Sequence, residues 1–220
     1  MKSKFADVFN HDENAAGYDT GVLNESHPIR AGYKAVLNWV SEKSATTSDS
    51  VVLDLGCGTG NLSLRFKHFK RLVCVDISNN MLDIARSKLA DLDNVEFVKA
   101  DLLEYFEGPS IFDAIVSTYA IHHLTELEKP ILFEQIYHSL QPGGTVVFGD
   151  LMFANAAAQK QLIQKYQDEG RFDVAQDIQD EFFWFVDQAN DSLTKLGFET
   201  EIKRFSDLSW GIAAQKGRTK

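Results

Sequence analysis

The chain has 220 residues, 44% apolar, 11% aromatic and 25% charged, with 14 Gly and 4 Pro, which fits one globular domain and excludes collagen-like, disordered and low-complexity chains. Lys and Arg number 22 against 32 Asp and Glu, a formal charge of −10 whose field repels polyphosphate, so no nucleic-acid partner is expected. Cys57 and Cys74 sit in apolar runs and make no disulfide framework, Met1 is followed by polar sequence rather than a signal-peptide core, and no apolar stretch reaches the roughly 18 residues of a membrane span, so the expectation is a cytoplasmic protein with no membrane partner.

Residues 1–49 read as an N-terminal helical flap. Pro28 can open a helix with Ile29, Tyr33, Val36, Leu37 and Val40 on one face, and the polar stretch Ser44–Ser50 links that helix to the first strand. From residue 51, Val51–Leu55, Leu72–Ile77, Val95–Val98, Ile111–Val116 and Thr145–Phe148 are apolar on both faces, as buried parallel strands are. Between them Asn61–Phe69, Asn79–Leu89 and Thr125–Leu140 read as helices, the second capped by Ser78 and the third opened by a Thr125–Glu128 capping box. Strand alternating with helix implies right-handed crossovers and a doubly wound α/β sheet, with residues 50–150 as its core. Residues 151–196 are too long for one crossover helix and predict a lid of two or three helices. That lid is acidic, Gln164–Asp191 carrying two bases against eight acids, Glu181 among them, with Phe182, Phe183, Trp184 and Phe185 turned inward. Within 197–220, Phe198–Phe205 and Leu208–Ala214 alternate with period two around Ser206-Asp207, the pattern of a hairpin. The whole of 1–220 reads as one domain.

Ligands of an open α/β sheet bind beyond the carboxyl ends of its strands, which makes the strand-end residues the candidates. The first strand runs into Asp54-Leu-Gly-Cys-Gly-Thr-Gly60. Its glycines at 56, 58 and 60 depart from the dinucleotide pattern, which needs a third glycine where Asn61 stands, and no Walker lysine is present after them. A carboxylate near this loop suits a cationic amino-acid tail and would repel a pyrophosphate. Asp76 ends the second strand, placed to accept hydrogen bonds from two ribose hydroxyls. The third strand ends in Asp101-Leu102, the fourth in Ser117 before Thr118-Tyr-Ala-Ile-His-His-Leu124, and Leu140-Gln-Pro-Gly-Gly144 precedes the fifth.

This ordered set, unbroken from Asp54 to Asp150, resembles the class I S-adenosylmethionine-dependent methyltransferases: Asp-x-Gly-x-Gly-x-Gly, then Asp76, then Asp101-Leu102, then Leu-x-Pro-Gly-Gly. Tyr18-Asp19, Tyr119-Ala-Ile-His-His-Leu124 and Phe153-Ala-Asn155 also resemble the small bacterial YrrT-like methyltransferases. The resemblance implies a Rossmann-like, mostly parallel seven-stranded sheet with an antiparallel C-terminal hairpin. It implies S-adenosylmethionine as methyl donor and S-adenosylhomocysteine as product. By the same resemblance, Asp101 bonds the adenine exocyclic amine and the Leu102 amide a ring nitrogen. The expected cofactor-binding set is Tyr18, Asp54, Gly56, Cys57, Gly58 and Gly60, with Asp76, Ile77, Met81, Asp101, Leu102 and Ser117.

Methyl transfer from a sulfonium is an in-line displacement, so aligning donor and acceptor is the main task and a base matters only for a protonated acceptor. His122 or His123, with an ordinary pKa of about 6.5, is the candidate base for a hydroxyl, thiol or ammonium, the alternative being a loop histidine that seats the next helix. Tyr119, His122 and Trp184 are the acceptor-contact candidates. Tyr18 and Tyr119 could equally pack flap on core. No metal is expected, because neither His11, His27, His68 nor His138 is specified as a third ligand. The expected activity is methylation of a small molecule by a monomer or homodimer. A non-catalytic module that binds S-adenosylmethionine or S-adenosylhomocysteine and an NAD-dependent oxidoreductase are the alternatives.

Overall fold

In the computed structural model, which describes residues 1–8, 10, 12, 15–107, 111–180 and 182–218, the parallel body of the sheet is β1 (Val51–Leu55), β2 (Arg71–Asp76), β3 (Val95–Lys99), β4 (Phe112–Thr118) and β5 (Leu140–Phe153). The chain adds β6 (Trp184–Phe185), β7 (Phe198–Arg204) and β8 (Ser209–Lys216). The order is β3-β2-β1-β4-β5-β8-β7, β6 pairs with the end of β5, and β8 runs antiparallel to both β5 and β7. From β1 the chain winds outward first to β2 and β3, then to β4 and β5, so the switch point lies between the carboxyl ends of β1 and β4.

Helices cover both faces, as a parallel sheet requires. Alternate strand residues divide between them: Val52, Leu72, Cys74 and Val116 pack with Val36, Leu37 and Val40 of α2 (Tyr33–Lys43) and Leu82 of α3 (Asn79–Lys88). On the other face Leu53, Val73, Val75 and Ile115 meet Leu132, Phe133 and Ile136 of α4 (Glu128–Ser139). The flap adds α1 (Ala15–Val22), and the lid comprises α5 (Ala156–Asp168), α6 (Phe172–Asp180) and α7 (Val186–Lys195). Among the described residues no helix is long and apolar enough to cross a membrane. His11 and Glu181 lie outside the described residues.

Three expectations are corrected. The helix at Asn61–Phe69 is a single 3-10 turn, Ser63–Arg65, because Asn61 and Ser63 spend their side chains on Asp19, Tyr33 and Asp54, and the Lys70 amide pairs with the Ser50 carbonyl to enter β2. The helix opened by Pro28 stops after Arg30 and restarts at Tyr33, since Gly32 takes a left-handed φ of 85° between them. The third helix starts at Glu128 rather than Thr125, whose amide and hydroxyl both donate to the Glu128 carboxylate. The seven strands β3-β2-β1-β4-β5-β8-β7 are as expected, and among the described residues the two-residue β6 is added beside them, where Trp184 and Phe185 pair with Met152 and Phe153 at the tip of a β5 that runs on to residue 153.

Candidate active site

The carboxyl ends of β1 to β4 and the inner side of the flap line a cleft that opens to solvent on one side, where an open α/β sheet binds its ligand. Its floor is the glycine loop. The amides of Gly56 and Cys57 both donate to the Val75 carbonyl (2.8 and 2.9 Å), which ties the loop to β2. Gly56 has φ 75°, and a Cβ there would stand 2.4 Å from that of Ala120, so the loop can lie against the β4 loop only without a side chain. Gly58, with φ 52°, differs: a Cβ there would meet nothing within 4 Å, because its backbone faces the open cleft.

Asp76 belongs to both the loop and the cleft. Its carboxylate accepts the Gly58 amide at 2.8 Å and the Ser78 amide at 2.9 Å, and burial pushes its pKa up against the opposing pull of the Ser78, Gly58 and Ile77 amides. Asp54 lies fully buried beneath the loop, accepting the Ser63 hydroxyl at 2.5 Å on Oδ2, while Oδ1 has no partner among the described residues. Burial pushes this carboxyl up to about 7. An orphaned carboxylate oxygen under an open glycine loop is the feature that a cationic tail would satisfy, so these residues fit the methyl donor.

At the far end of the cleft the first residues of the chain form a strap. The Ser3 amide and hydroxyl donate to the two oxygens of Asp101 (3.0 and 2.6 Å), the Leu103 amide adds a third bond (2.9 Å), and the Lys4 amide donates to Glu128 at 2.7 Å. Asp12 accepts from the Ser78 hydroxyl and the Asn80 amide. Asp19 of α1 accepts from Thr59 (2.7 Å) and Asn61 (2.9 Å) and pairs with Lys88 at 2.5 Å. Burial raises the pKa of Asp19, but the Lys88, Thr59 and Asn61 donors outweigh it and hold the carboxyl below its usual range.

Three tyrosines close the near end. The Tyr33 and Tyr119 rings lie 5.2 Å apart, Tyr119 takes a left-handed φ of 53°, and its hydroxyl is 3.3 Å from Ser209 Oγ. Burial pushes the phenols of Tyr18, Tyr33 and Tyr119 upward, so they are neutral donors at physiological pH. Behind Tyr119, the Asp150 carboxylate collects the amides of Ile121, His122 and Leu151 and stands 2.5 Å from His122 Nδ1.

The cleft thus brings together Tyr18, Gly56, Cys57, Gly58, Asp76, Ile77, Met81, Asp101, Leu102, Tyr119 and His123. It leaves five expected residues outside its lining. Asp54 and Gly60 lie below the loop, Gly60 against Ala85. Ser117 ties β4 to β1 by donating to the Leu55 carbonyl at 2.6 Å. His122 is drawn back by Asp150. Trp184 is 2% exposed and packs on Phe133 and Phe148, centroids 5.8 and 5.5 Å away, in the opposite core. Thr59 and Thr118, inside the strand-end segments but not singled out, line the cleft too, as do Ala6, Tyr33 and Asn61, which no sequence motif marks for it. Asp150 is a further residue that sequence reasoning missed, although an acid at the end of the fifth strand is the same signal that marks Asp76 and Asp101.

Residues 52–144 match the family described as a methyltransferase domain. An uncharacterized methyltransferase of Anoxybacillus flavithermus is 33% identical over 98% of this chain and 100% of its own length, and the uncharacterized methyltransferase YrrT of Bacillus subtilis is also 33% identical, over 98% and 100%. Among solved structures, the N-methyltransferase NodS of Bradyrhizobium japonicum in complex with S-adenosyl-L-homocysteine superposes with a TM-score of 0.63 at 18% identity, covering 86% of this chain and 88% of that one. Identity sustained from end to end carries the assignment: the chain belongs to the class I S-adenosylmethionine-dependent methyltransferases, beside the YrrT-like proteins of bacteria.

Proposed function

We propose that this methyltransferase acts on a small-molecule acceptor, and that its cleft divides into a donor half under the strap and an acceptor half between the three tyrosines. The observation that carries this reading is the open backbone of Gly58, bonded to the Asp76 carboxylate at the switch point of the sheet in a cleft that Asp101 also lines. When bound, S-adenosylmethionine supplies a methyl group on a positively charged sulfur, ready for displacement. Asp76 would hold the ribose hydroxyls, Asp101 and the Leu102 amide the adenine, Ile77 and Met81 its faces, and the loop backbone with Asp54 the amino-acid tail. The chain's remaining work is alignment and exclusion of water, which the strap and α1 perform by covering the cleft.

Neutral hydroxyls from Tyr18, Tyr33 and Tyr119 can orient an acceptor by donating to it. His123 lines the cleft and is the residue placed to take a proton from a protonated acceptor. His122 positions it: fixed to Asp150, it anchors the turn on which His123 sits. An enclosed cleft and a charge of −10 both favour a small acceptor over nucleic acid.

Calorimetric titration with S-adenosylmethionine, S-adenosylhomocysteine and NAD tests the donor half; the first two should bind and NAD should not. Folded protein that binds neither would defeat the reading. Once an acceptor is found by product release, His123→Ala should lower turnover while S-adenosylhomocysteine affinity holds, and full activity would remove the base.

A further inference from the structure

We infer that the acceptor carries an anionic group, a carboxylate or a phosphate, and that Arg30 takes it in a groove adjoining the cleft at Tyr18. This rests on the cleft being the donor site. The groove, of about 530 Å³, runs between α1, the turn at Pro28–Arg30 and α6, with Tyr18, Val22, His27, Arg30 and Asp177 on its walls. Tyr18 lines both the groove and the cleft, so one side chain is the wall the two spaces share.

Arg30 is half-buried, and its side chain makes no hydrogen bond or ion pair with any described residue. Arg65, Arg71, Arg86, Arg171 and Arg204 all find acceptors, and of the described arginines only Arg30 and the terminal Arg218 do not. A guanidinium stays charged and presents a planar fork of donors that matches a carboxylate or phosphate edge. Asp177 stands in the same groove without pairing with it. Among the described residues the cleft lining itself holds no Lys or Arg, which leaves Arg30 as the cation at the acceptor end.

The turn that carries Arg30 is held in place. The Arg30 amide donates to the His27 carbonyl at 2.9 Å, and Ser209 Oγ donates to the Ala31 carbonyl at 2.8 Å. The same Ser209 Oγ lies 3.3 Å from the Tyr119 hydroxyl, so one serine joins the neighbour of Arg30 to the cleft wall. The field of Arg30 reaches across this link, opposing the burial that raises the Tyr18 and Tyr119 phenols. An anion seated on the fork would therefore lie beside Tyr18, the wall between the groove and the cleft.

The test titrates protein saturated with S-adenosylhomocysteine against inorganic phosphate, and separately against acetate, at fixed ionic strength, following the Arg30 Nε–H resonance by NMR. A saturable shift with either probe is expected, lost in Arg30→Gln and kept in Lys34→Gln; the probe that saturates at lower concentration names the anion. The affinity of Arg30→Gln for S-adenosylhomocysteine should stay within about twofold of the parent, well under 1 kcal/mol. No saturable shift, or the same saturation in Arg30→Gln followed on neighbouring backbone amides, overturns the proposal. A loss of about tenfold or more in S-adenosylhomocysteine affinity also overturns it, by moving Arg30 to the donor's own carboxylate. Failure of the unaltered protein to bind S-adenosylhomocysteine defeats the donor reading itself and this inference with it, and is seen before any anion is added.

Discussion

The floor of the cleft is held by buried strands and main-chain bonds, whereas its cover is held by hydrogen bonds and ion pairs, each with a side chain on one end at least, that join residues 3–19 to the body of the protein. Val52, Leu53 and Leu55 of β1 are fully buried, and the Val75 carbonyl anchors the loop that leaves them. The cover depends on Ser3, Lys4, Asp12 and Asp19, each bonded to a residue far away in sequence. Burial of an apolar side chain is worth roughly 1.5–3 kcal/mol and a part-exposed ion pair about 0.2–1 kcal/mol, so the cover should open locally while the floor persists. Ligand access can then be controlled without loosening the sheet.

The sharpest way to break the floor is Asp76→Ala, which removes the carboxylate that accepts the Gly58 and Ser78 amides and with it the proposed ribose contacts. At roughly 1.5–3 kcal/mol per charge-assisted bond, S-adenosylhomocysteine affinity should fall about 100-fold or more, and a calorimetric Kd unchanged from the parent would take Asp76 out of the site.

Next in size is Asp54. Its carboxyl is raised to about 7 in the folded chain from an ordinary value of 3.8, so between those values the native state binds more protons than the unfolded one. Stability contributed by the protonated form is present below about pH 4 and is lost as pH rises through 7, on the order of 4 kcal/mol in all. Urea unfolding from about pH 4 to 8 should show that decline, and Asp54→Asn should flatten it.

Two glycines in one loop sharpen the contrast between structure and site. Gly56→Ala drives a Cβ into Ala120 and should destabilise the fold by roughly 2–4 kcal/mol. Gly58→Ala meets open space, costs only left-handed strain of about 1–2 kcal/mol, and should instead weaken S-adenosylhomocysteine binding by filling the cleft. Thermal melts and titrations of the pair would separate the effects, and equal melting temperatures would contradict the packing argument.

The smallest effect belongs to the cover. Asp19→Asn should cost about 0.2–1 kcal/mol, since Asp19 and Lys88 are 34% and 23% exposed, yet it should speed amide exchange across α1 while leaving β1 protected. Because the Asp19 carboxyl is held below its usual range, the clasp is intact above about pH 4 and weakens as pH falls through the lowered pKa. Exchange of α1 that is indifferent to the substitution would place the clasp elsewhere.

The same division explains what the sequence disclosed. Gly56, Asp76 and Asp101 were legible because strand periodicity fixes where a strand ends, and a strand end fixes where a ligand can be. Ser3 on Asp101 was not, since the two are 98 residues apart and no local pattern joins them. Leu62 and Phe66 have helical spacing, which hid the fact that Asn61 and Ser63 were needed for Asp19 and Asp54. The run of aromatics at 182–185 concealed a period of two: Phe183 packs in one core and Trp184 in the other. Tyr119 gave no sign of its left-handed backbone, which only the contacts around it can impose.

If Asp101 holds the adenine as proposed, its crowding would also set a selectivity. A carboxylate offers about four acceptor positions, and two amides with one hydroxyl fill three of them. In the proposed arrangement the position left over takes a single N–H from an amino group, and a carbonyl brought to the same place would set oxygen against oxygen. The first residues of the chain would thus make the pocket tell adenine from its deaminated counterpart, hypoxanthine, a discrimination settled before any methyl group moves.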